Sequence, residues 1–223
     1  MARPASDIAV CNLALDQIKE KVITTLTGDD RTKTEELCSR WYDTIRQATL
    51  QAYNWNFALF SKNIPRGGTP SVSDYTDYYV FPNDFLKLRA IIDPAIPLSK
   101  RTYEIQGRNL LYNYSSDEDD LEDTIPIWFT VDETDISIWP ALFIRLMSEE
   151  LAIVLGKKLT ARPSIMKDIR TDLVETRRLA RSMDGQSRPP KRYSSSKIVN
   201  AGLNPAHNKT VAGDYTFPDG MDD

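Results

Sequence analysis

The stretch from residue 138 to residue 158 reads IWPALFIRLMSEELAIVLGKK, and the fold prediction for the whole chain starts from it. Apolar side chains recur in it every three or four residues along two neighbouring lines, one through Leu142 and Leu146 and one through Phe143 and Met147. Together the two lines cover most of the circumference of a helix. Because such a helix must be surrounded by other elements, we predict that it lies at the centre of a helical body.

Three further segments have the pattern of helices that bury one face. The first begins after the capping residue Ser6 and has an apolar line from 8 to 22. The second has its apolar line from 37 to 52, and the last begins near Pro163 with a line from 165 to 183. Short polar connections between such helices favour antiparallel packing.

The middle of the chain has the alternation and the turn residues of an antiparallel sheet. Strands are predicted at 75–81, 86–92 and 125–131, and a hairpin at 102–114 has its turn at 107–109. We therefore predict an α+β fold. It is a mainly helical four-helix bundle with a small antiparallel β-sheet inserted between helices 2 and 3 and an extended C-terminal tail.

The predicted domain organisation follows from these elements. The N-terminal helical pair comprises 1–62, the inserted β-subdomain 63–134, the C-terminal helical pair 135–183 and the tail 184–223. The tail contains Gly, Pro, Ser and Asn with few large aliphatic side chains, so it cannot offset its own ordering entropy by burial. We predict that it is ordered by a partner.

Composition restricts the possible functions. The 223 residues have a net charge of −4 with 41% apolar and 27% charged side chains, which argues against a protein built to coat a phosphate backbone. Cys11 and Cys38 fall in helical patterns and are predicted to be buried free thiols in a reducing compartment. The single histidine, His207, lies in the tail, so zinc sites and histidine-based catalytic triads are not expected. We predict no cofactor, no signal peptide and no membrane span.

Two groups of carboxylates leave alternatives open. The acidic run at 117–120 is compatible with divalent-cation binding, with a solvated loop, or with a channel wall that repels DNA. Its residues are Asp117, Glu118, Asp119 and Asp120. Glu149 and Glu150 are either buried carboxylates of the kind a hydrolase uses or partners of Arg145 on the same helix.

The order of several short motifs resembles a known family. These motifs are Tyr53-x-Trp55-x-Phe57-Ala58, the run 81–87, Tyr103 to Gly107, Asn109 to Tyr112, Ala141 to Phe143, Glu150 to Ala152, and a last helix ending near Ala180-Arg181. In this order they are similar to the tail tubular protein A family, the head-to-tail adaptors of podoviruses. The resemblance covers about 7–183.

The resemblance implies a structural subunit of the virion and not an enzyme. Such a subunit forms a ring of twelve copies under the portal protein, carries the distal tail or nozzle protein, and lets the genomic DNA pass without specific binding. The ring assembles in the cytoplasm of the bacterial host. The C-terminal tail would contact the portal, and the expected portal-binding residues are Arg188, Lys191, Arg192, Tyr193 and Lys197.

Aromatic side chains of the sheet are candidates for the interface with a neighbouring subunit or the distal tail. Tyr75, Tyr78, Tyr79 and Trp128 exceed what a small sheet needs for its own core, although a local core would also account for them. Two other functions stay open beside the ring. One is a metal-dependent or carboxylate hydrolase that uses Asp117, Asp119 and Asp120 or Glu149 and Glu150, and the other is an adaptor that binds DNA.

Overall fold

A computed structural model describes residues 6–71, 74–92, 102–113, 124–159 and 162–187. Within these ranges the chain forms four α-helices and six β-strands, and a short 3-10 turn at Ile136–Ile138 precedes the third helix. The helices are α1 (Asp7–Ile18), α2 (Lys33–Ala52), α3 (Ala141–Leu159) and α4 (Pro163–Gln186). The strands are β1 (Leu59–Gly68), β2 (Tyr78–Val80), β3 (Phe85–Ile91), β4 (Glu104–Gln106), β5 (Asn109–Leu111) and β6 (Thr124–Val131).

Helix α3 packs against each of the other three helices, as its apolar circumference predicts. The buried side chains of all four helices, together with Trp55, Ala58 and Trp139, form one cluster that we call the helical core. Phe143 lies within it, and its ring centroid is 5.1 Å from that of Trp55, 4.7 Å from that of Phe57 and 5.1 Å from that of Trp139. This edge-to-face aromatic packing fixes the position of the first turn of α3 relative to the segment before β1.

Helix α1 is shorter than its apolar line predicts. Ser6 caps its first turn by accepting a hydrogen bond from the backbone N–H of Ala9, and Lys19 ends it in the left-handed conformation with φ 60°. Val22, predicted as the last apolar member, lies outside the helix and is 62% exposed. The Asn12 side chain holds the following segment by donating to the carbonyl of Ile23 and accepting from its N–H, at 3.1 and 2.8 Å.

Helix α2 begins with a capping box. The Thr32 hydroxyl accepts a hydrogen bond from the Glu35 N–H at 3.3 Å, and the Glu35 carboxylate accepts from the Thr32 N–H at 2.8 Å. These bonds satisfy backbone donors that have no partner at the first turn of a helix. The hydrogen bond from the Thr32 backbone is the main reason why the pKa of Glu35 lies below its ordinary value.

The lowered pKa of Glu35 predicts a loss of stability in acid. A carboxyl whose pKa is lower in the folded chain stabilises the fold above its ordinary pKa, and this contribution disappears as the pH falls through the lowered value. We expect the free energy of unfolding, measured by urea titration, to fall below about pH 5, and to fall less steeply in Glu35→Gln. Glu36→Gln removes a carboxylate of the same turn that bonds to Arg40 and serves as the control for charge. Identical pH profiles for the wild type and Glu35→Gln would contradict the prediction.

The six strands form a single antiparallel sheet in the order β3-β6-β1-β2-β5-β4. β1 joins its two halves, because its residues 59–65 pair with β6 and its last residues pair with β2. A second cluster of buried hydrophobic side chains lies on one face of the sheet, and we call it the sheet core. Its buried members are Ile64, Tyr79, Phe81, Ile91, Leu110, Tyr112, Ile125, Ile127 and Phe129.

The predicted fold class, a mainly helical four-helix bundle with a small inserted sheet, is wrong. The chain combines four helices with a curled six-stranded sheet that has a core of its own. The strands do lie between α2 and α3 in the sequence. The prediction failed at β1, which was not recognised as a strand, and the predicted domain boundary between residues 62 and 63 falls inside it.

A polar junction fastens the sheet to the helices. Arg46 of α2 donates from its Nε and a terminal nitrogen to the two carboxylate oxygens of Asp132, at 2.9 and 3.0 Å, just after β6 ends. Gln47 donates to the same carboxylate at 2.8 Å. Val131 contacts both cores, and its N–H donates to the Ala58 carbonyl just before β1 at 3.0 Å. The chain crosses from the helices into the sheet just before β1 and back to the helices just after β6. These two crossings therefore lie side by side.

The end of α4 corrects one detail of the predicted apolar line. Met183 was expected to be buried, but it is 56% exposed, whereas Asp184 is buried. The Asn56 N–H donates a bifurcated hydrogen bond to the two carboxylate oxygens of Asp184, at 2.9 and 3.0 Å. The Asp184 carbonyl accepts a further hydrogen bond from the Asn56 side chain at 2.6 Å. The last turn of α4 is thus fastened to the segment that connects α2 with β1.

Candidate functional site

Side chains of β6 alternate between the two faces of the sheet. Ile125, Ile127 and Phe129 have no exposed surface and belong to the sheet core. Trp128 points to the opposite face and is 41% exposed. Single exposed apolar side chains are normal on protein surfaces, so the surroundings of Trp128 decide whether it can serve as an interface anchor.

The neighbours of Trp128 in the sheet leave it 41% exposed. Its direct partners across the sheet are Ser61 on β1 and Ala90 on β3, both of which have small side chains. Two residues along β6, Pro126 lies opposite Asn63. Because direct partners share a face, these five residues form one surface, which we call the Trp128 face.

The helices cover only one end of that side of the sheet. Thr130, which follows Trp128 on the same face, has no exposed surface. Its hydroxyl accepts a hydrogen bond from Arg89 at 2.9 Å, and Arg89 also donates to the Trp55 carbonyl at 2.5 Å. The helical part of the chain therefore meets the sheet at Thr130 and leaves the Trp128 face beyond it open.

The three tyrosines predicted at the interface differ in how much of each side chain is exposed. Tyr79 is 2% exposed and packs in the sheet core, so its ring belongs to the local core that the sequence left as an alternative. Tyr75 and Tyr78 are half-buried. The Tyr78 ring lies against the backbone of Gly67, where a Cβ atom would come within 2.1 Å of it, so that glycine is required for the packing. Trp128 has the largest free aromatic surface of the predicted set, and the interface role of all four residues stays a prediction.

Glu149 and Glu150 are held by separate partners. Glu149, which is 3% exposed, accepts hydrogen bonds on Oε1 from Arg145 at 2.7 Å and from the Thr176 hydroxyl at 3.0 Å. Glu150 accepts from the Thr49 hydroxyl at 2.6 Å and from Arg177 at 2.9 Å. Glu149 is therefore both buried and paired with Arg145, so the two predicted alternatives do not exclude each other there. Both carboxylates thus join α3 to α4, and Glu150 also joins it to α2. Adjacent residues of a helix point in different directions, so the two carboxylates do not face each other as an acid–base pair would.

Several predicted site residues lie outside the described ranges. They are the acidic residues Asp117, Glu118, Asp119 and Asp120 and the portal-binding residues Arg188, Lys191, Arg192, Tyr193 and Lys197. Among the residues that the structure does describe, no group of three or more His, Cys, Asp or Glu side chains is placed to hold a metal ion.

Sequence reasoning identified Trp128 but not the residues around it. Alternation along 125–131 already places Trp128 on the face opposite to Ile125, Ile127 and Phe129. Ser61 and Ala90 became part of the surface only through the register of β1 and β3 against β6. That register depends on β1, the strand that the pattern did not reveal.

No protein-family model matches the sequence, and a search among curated proteins returns no match. None of the helices in the described ranges combines the length and the hydropathy that a membrane span requires.

Proposed function

We propose that this chain is a structural subunit of a bacteriophage head-to-tail adaptor. Copies of it form a closed ring that docks on the portal, surrounds the path of the DNA and carries the distal tail. The order of sequence motifs from Tyr53 to Arg181 supports the proposal through its similarity to the podovirus adaptors.

The open Trp128 face is the structural observation on which the proposal rests. A ring of identical subunits needs two different surfaces on each copy that fit each other and close by rotation. Interfaces of this kind are anchored by a few large aromatic side chains surrounded by small or polar neighbours. Trp128, flanked by Ser61 and Ala90, has these properties, and the sheet core leaves it free to bind a neighbour.

The edges of the sheet give a second, weaker support. β3 and β4 are the outermost strands, so each has one side without a strand partner in the described part of the chain. β4 is exposed at all three positions, and Ile105 on it is 44% exposed. Edge strands with exposed apolar side chains pair readily with other chains, which suits a subunit that works only in an assembly.

The proposal predicts a particle of defined size. We expect the full-length chain of 25.4 kDa, mixed with the portal protein encoded in the same genome, to form a ring of about twelve copies bound to the portal. Light scattering gives the particle mass, and negative-stain images give the rotational symmetry. A ring that forms without the portal agrees equally well with the proposal. A chain that stays monomeric both alone and with the portal would refute it.

The rival functions have their own readouts in the same preparation. Retention on duplex DNA at about 0.15 M salt would favour the DNA-binding adaptor, because binding through a few phosphates weakens steeply with salt. Turnover of a nucleic acid or glycan with Mg²⁺ or Mn²⁺, lost in Asp119→Ala, would favour the hydrolase. If the chain forms no ring and gives one of these two results, the corresponding rival function replaces the proposal.

A further inference from the structure

A cleft opens in the helical part of the chain, between α3, α4 and the end of α1. Its volume is about 380 Å³. The charged side chains that line it are Asp168 and Asp172 of α4, Glu149 and Arg145 of α3, and Lys19, which ends α1. The cleft thus has one more carboxylate than it has cationic side chains, and this balance favours a ligand of positive charge.

Glu149 contributes a buried carboxylate whose charge is only partly compensated. The residue is 3% exposed, and its Oε1 accepts the hydrogen bonds from Arg145 and Thr176. Its Oε2 has no hydrogen-bond partner among the described residues. A buried carboxylate oxygen without a donor is unusual and costly, and the field of a buried charge is stronger than that of an exposed one. Glu149 therefore attracts a cation that carries hydrogen-bond donors into the cleft.

The face of α4 that lines the cleft combines two carboxylates with two isoleucines. Asp168 and Asp172 lie one turn apart and are exposed, so a ligand reaches them directly. Side chains at this spacing lie about 5 to 6 Å apart at their Cβ atoms. A guanidinium bridges such a pair because it has several N–H donors in one plane, whereas an ammonium is a compact point charge. Ile165 and Ile169 line the same cleft and provide an apolar surface beside the carboxylates.

We propose that this cleft binds an arginine side chain of another protein. The guanidinium lies between Asp168 and Asp172 on one side and Glu149 on the other. The aliphatic stem of the arginine packs along Ile165 and Ile169, as the stems of long cationic side chains commonly do. Among the described residues, no three His, Cys, Asp or Glu side chains are grouped to hold a metal ion, which favours an organic cation.

The experiment titrates the full-length, ¹⁵N-labelled protein with N-acetyl-arginine methylamide at about 0.15 M salt and follows the backbone amides by NMR. We expect saturable shifts at 145–149 and 165–172. The citrulline counterpart has the same shape without the charge and should bind roughly tenfold more weakly, because hydrogen bonds to charged groups are the stronger ones. Equal binding of the two probes, or no saturable shift in these segments, would overturn the proposal.

Two further probes test the choice of ligand. The lysine counterpart has the charge without the planar fork, and we expect it to bind more weakly than the arginine probe. Free L-arginine adds an ammonium and a carboxylate at its Cα atom, for which the proposal assigns no partner. Tighter binding of the lysine probe would contradict the preference for guanidinium, and tighter binding of free L-arginine would contradict a ligand presented by a protein.

Variants of exposed residues locate the site without disturbing the fold. Asp168→Asn combined with Asp172→Asn should weaken binding of the arginine probe by roughly tenfold or more. The control is Glu175→Gln, which removes an exposed carboxylate of the same helix that bonds to Arg178 and does not line the cleft. Binding in the double variant that equals the wild type, or an equal loss in Glu175→Gln, would place the ligand elsewhere.

The buried carboxylate has its own pair of variants. Glu149→Gln keeps the shape of the side chain and removes its charge, so we expect weaker binding of the arginine probe. Glu150→Gln is the matched control, because Glu150 bonds to Thr49 and Arg177 and does not line the cleft. Unchanged affinity in Glu149→Gln would contradict the part assigned to the buried carboxylate. All these measurements concern a single chain, so they are independent of whether the protein forms a ring.

Discussion

Replacing Trp128 by serine is expected to abolish assembly of the proposed ring while the chain still folds. Trp128 is 41% exposed, and its removal leaves the sheet core on the other face intact. Truncating an aromatic anchor at the centre of an interface weakens binding by about 2 to 4 kcal/mol, which corresponds to roughly 30- to 700-fold. Since each subunit of a ring takes part in two such contacts, the loss should be complete at micromolar protein. Light scattering measures assembly, and circular dichroism checks the fold.

Phe60→Ser is the matched control for this variant. Phe60 lies on β1 next to Ser61, is 52% exposed and contacts Phe129, so it belongs to the opposite face of the same pair of strands. Because the proposal places the interface on the Trp128 face and Phe60 lies on the other face, we expect Phe60→Ser to assemble like the wild type, with a modest loss of stability from its contact with Phe129. If Trp128→Ser forms normal rings, or if both variants fail equally, the Trp128 face is not the interface.

Replacing Phe143 by alanine is expected to cost the largest share of the fold's stability. Its ring has no exposed surface and contacts Trp55, Phe57 and Trp139, so truncation leaves a cavity between α3 and the segment before β1. Phenylalanine-to-alanine changes in such sites cost about 3 to 5 kcal/mol. Because whole domains are stable by only about 5 to 15 kcal/mol, the urea midpoint should fall by about a fifth or more.

Ile138→Ala provides the comparison for Phe143→Ala. Ile138 lies five residues earlier and is 46% exposed, so its truncation removes less buried surface than that of Phe143. We expect a change in the free energy of unfolding within about 0.5 kcal/mol. A loss below about 1 kcal/mol in Phe143→Ala would contradict the central position of that ring.

The helices were predictable because their apolar spacing extends over many residues. The line through Leu142 and Leu146 gave α3 and its central position, and Pro163 stands at the first turn of α4, as the sequence suggested. The errors occur at helix ends, where hydrogen bonds outweigh periodicity. Asp184 is buried in place of Met183 because the Asn56 backbone and side chain satisfy it.

The sheet was underestimated because β1 lacks the signature of a strand. Its residues 59–65 read LFSKNIP, with one fully buried side chain, and Pro65 to Gly68 have the composition of a loop. What makes it a strand is its pairing with β6 over seven residues, a long-range contact that no local window contains. The Trp128 face could not be predicted for the same reason, since Ser61 and Ala90 are known as neighbours of Trp128 only from the register of the strands.

The side-by-side crossings between helices and sheet have a mechanical consequence. The chain passes from the helices into β1 and returns from β6, and these two strands are paired along their length. A force that pulls on the far end of the sheet would be carried by β1 and β6 together, because both connect to the helices at the same end. The hydrogen bonds between the two strands would then not break one after another. The Arg46–Asp132 junction sits where both strands reach the helices, so it would share such a load with the hydrogen bond from Arg89 to the Trp55 carbonyl.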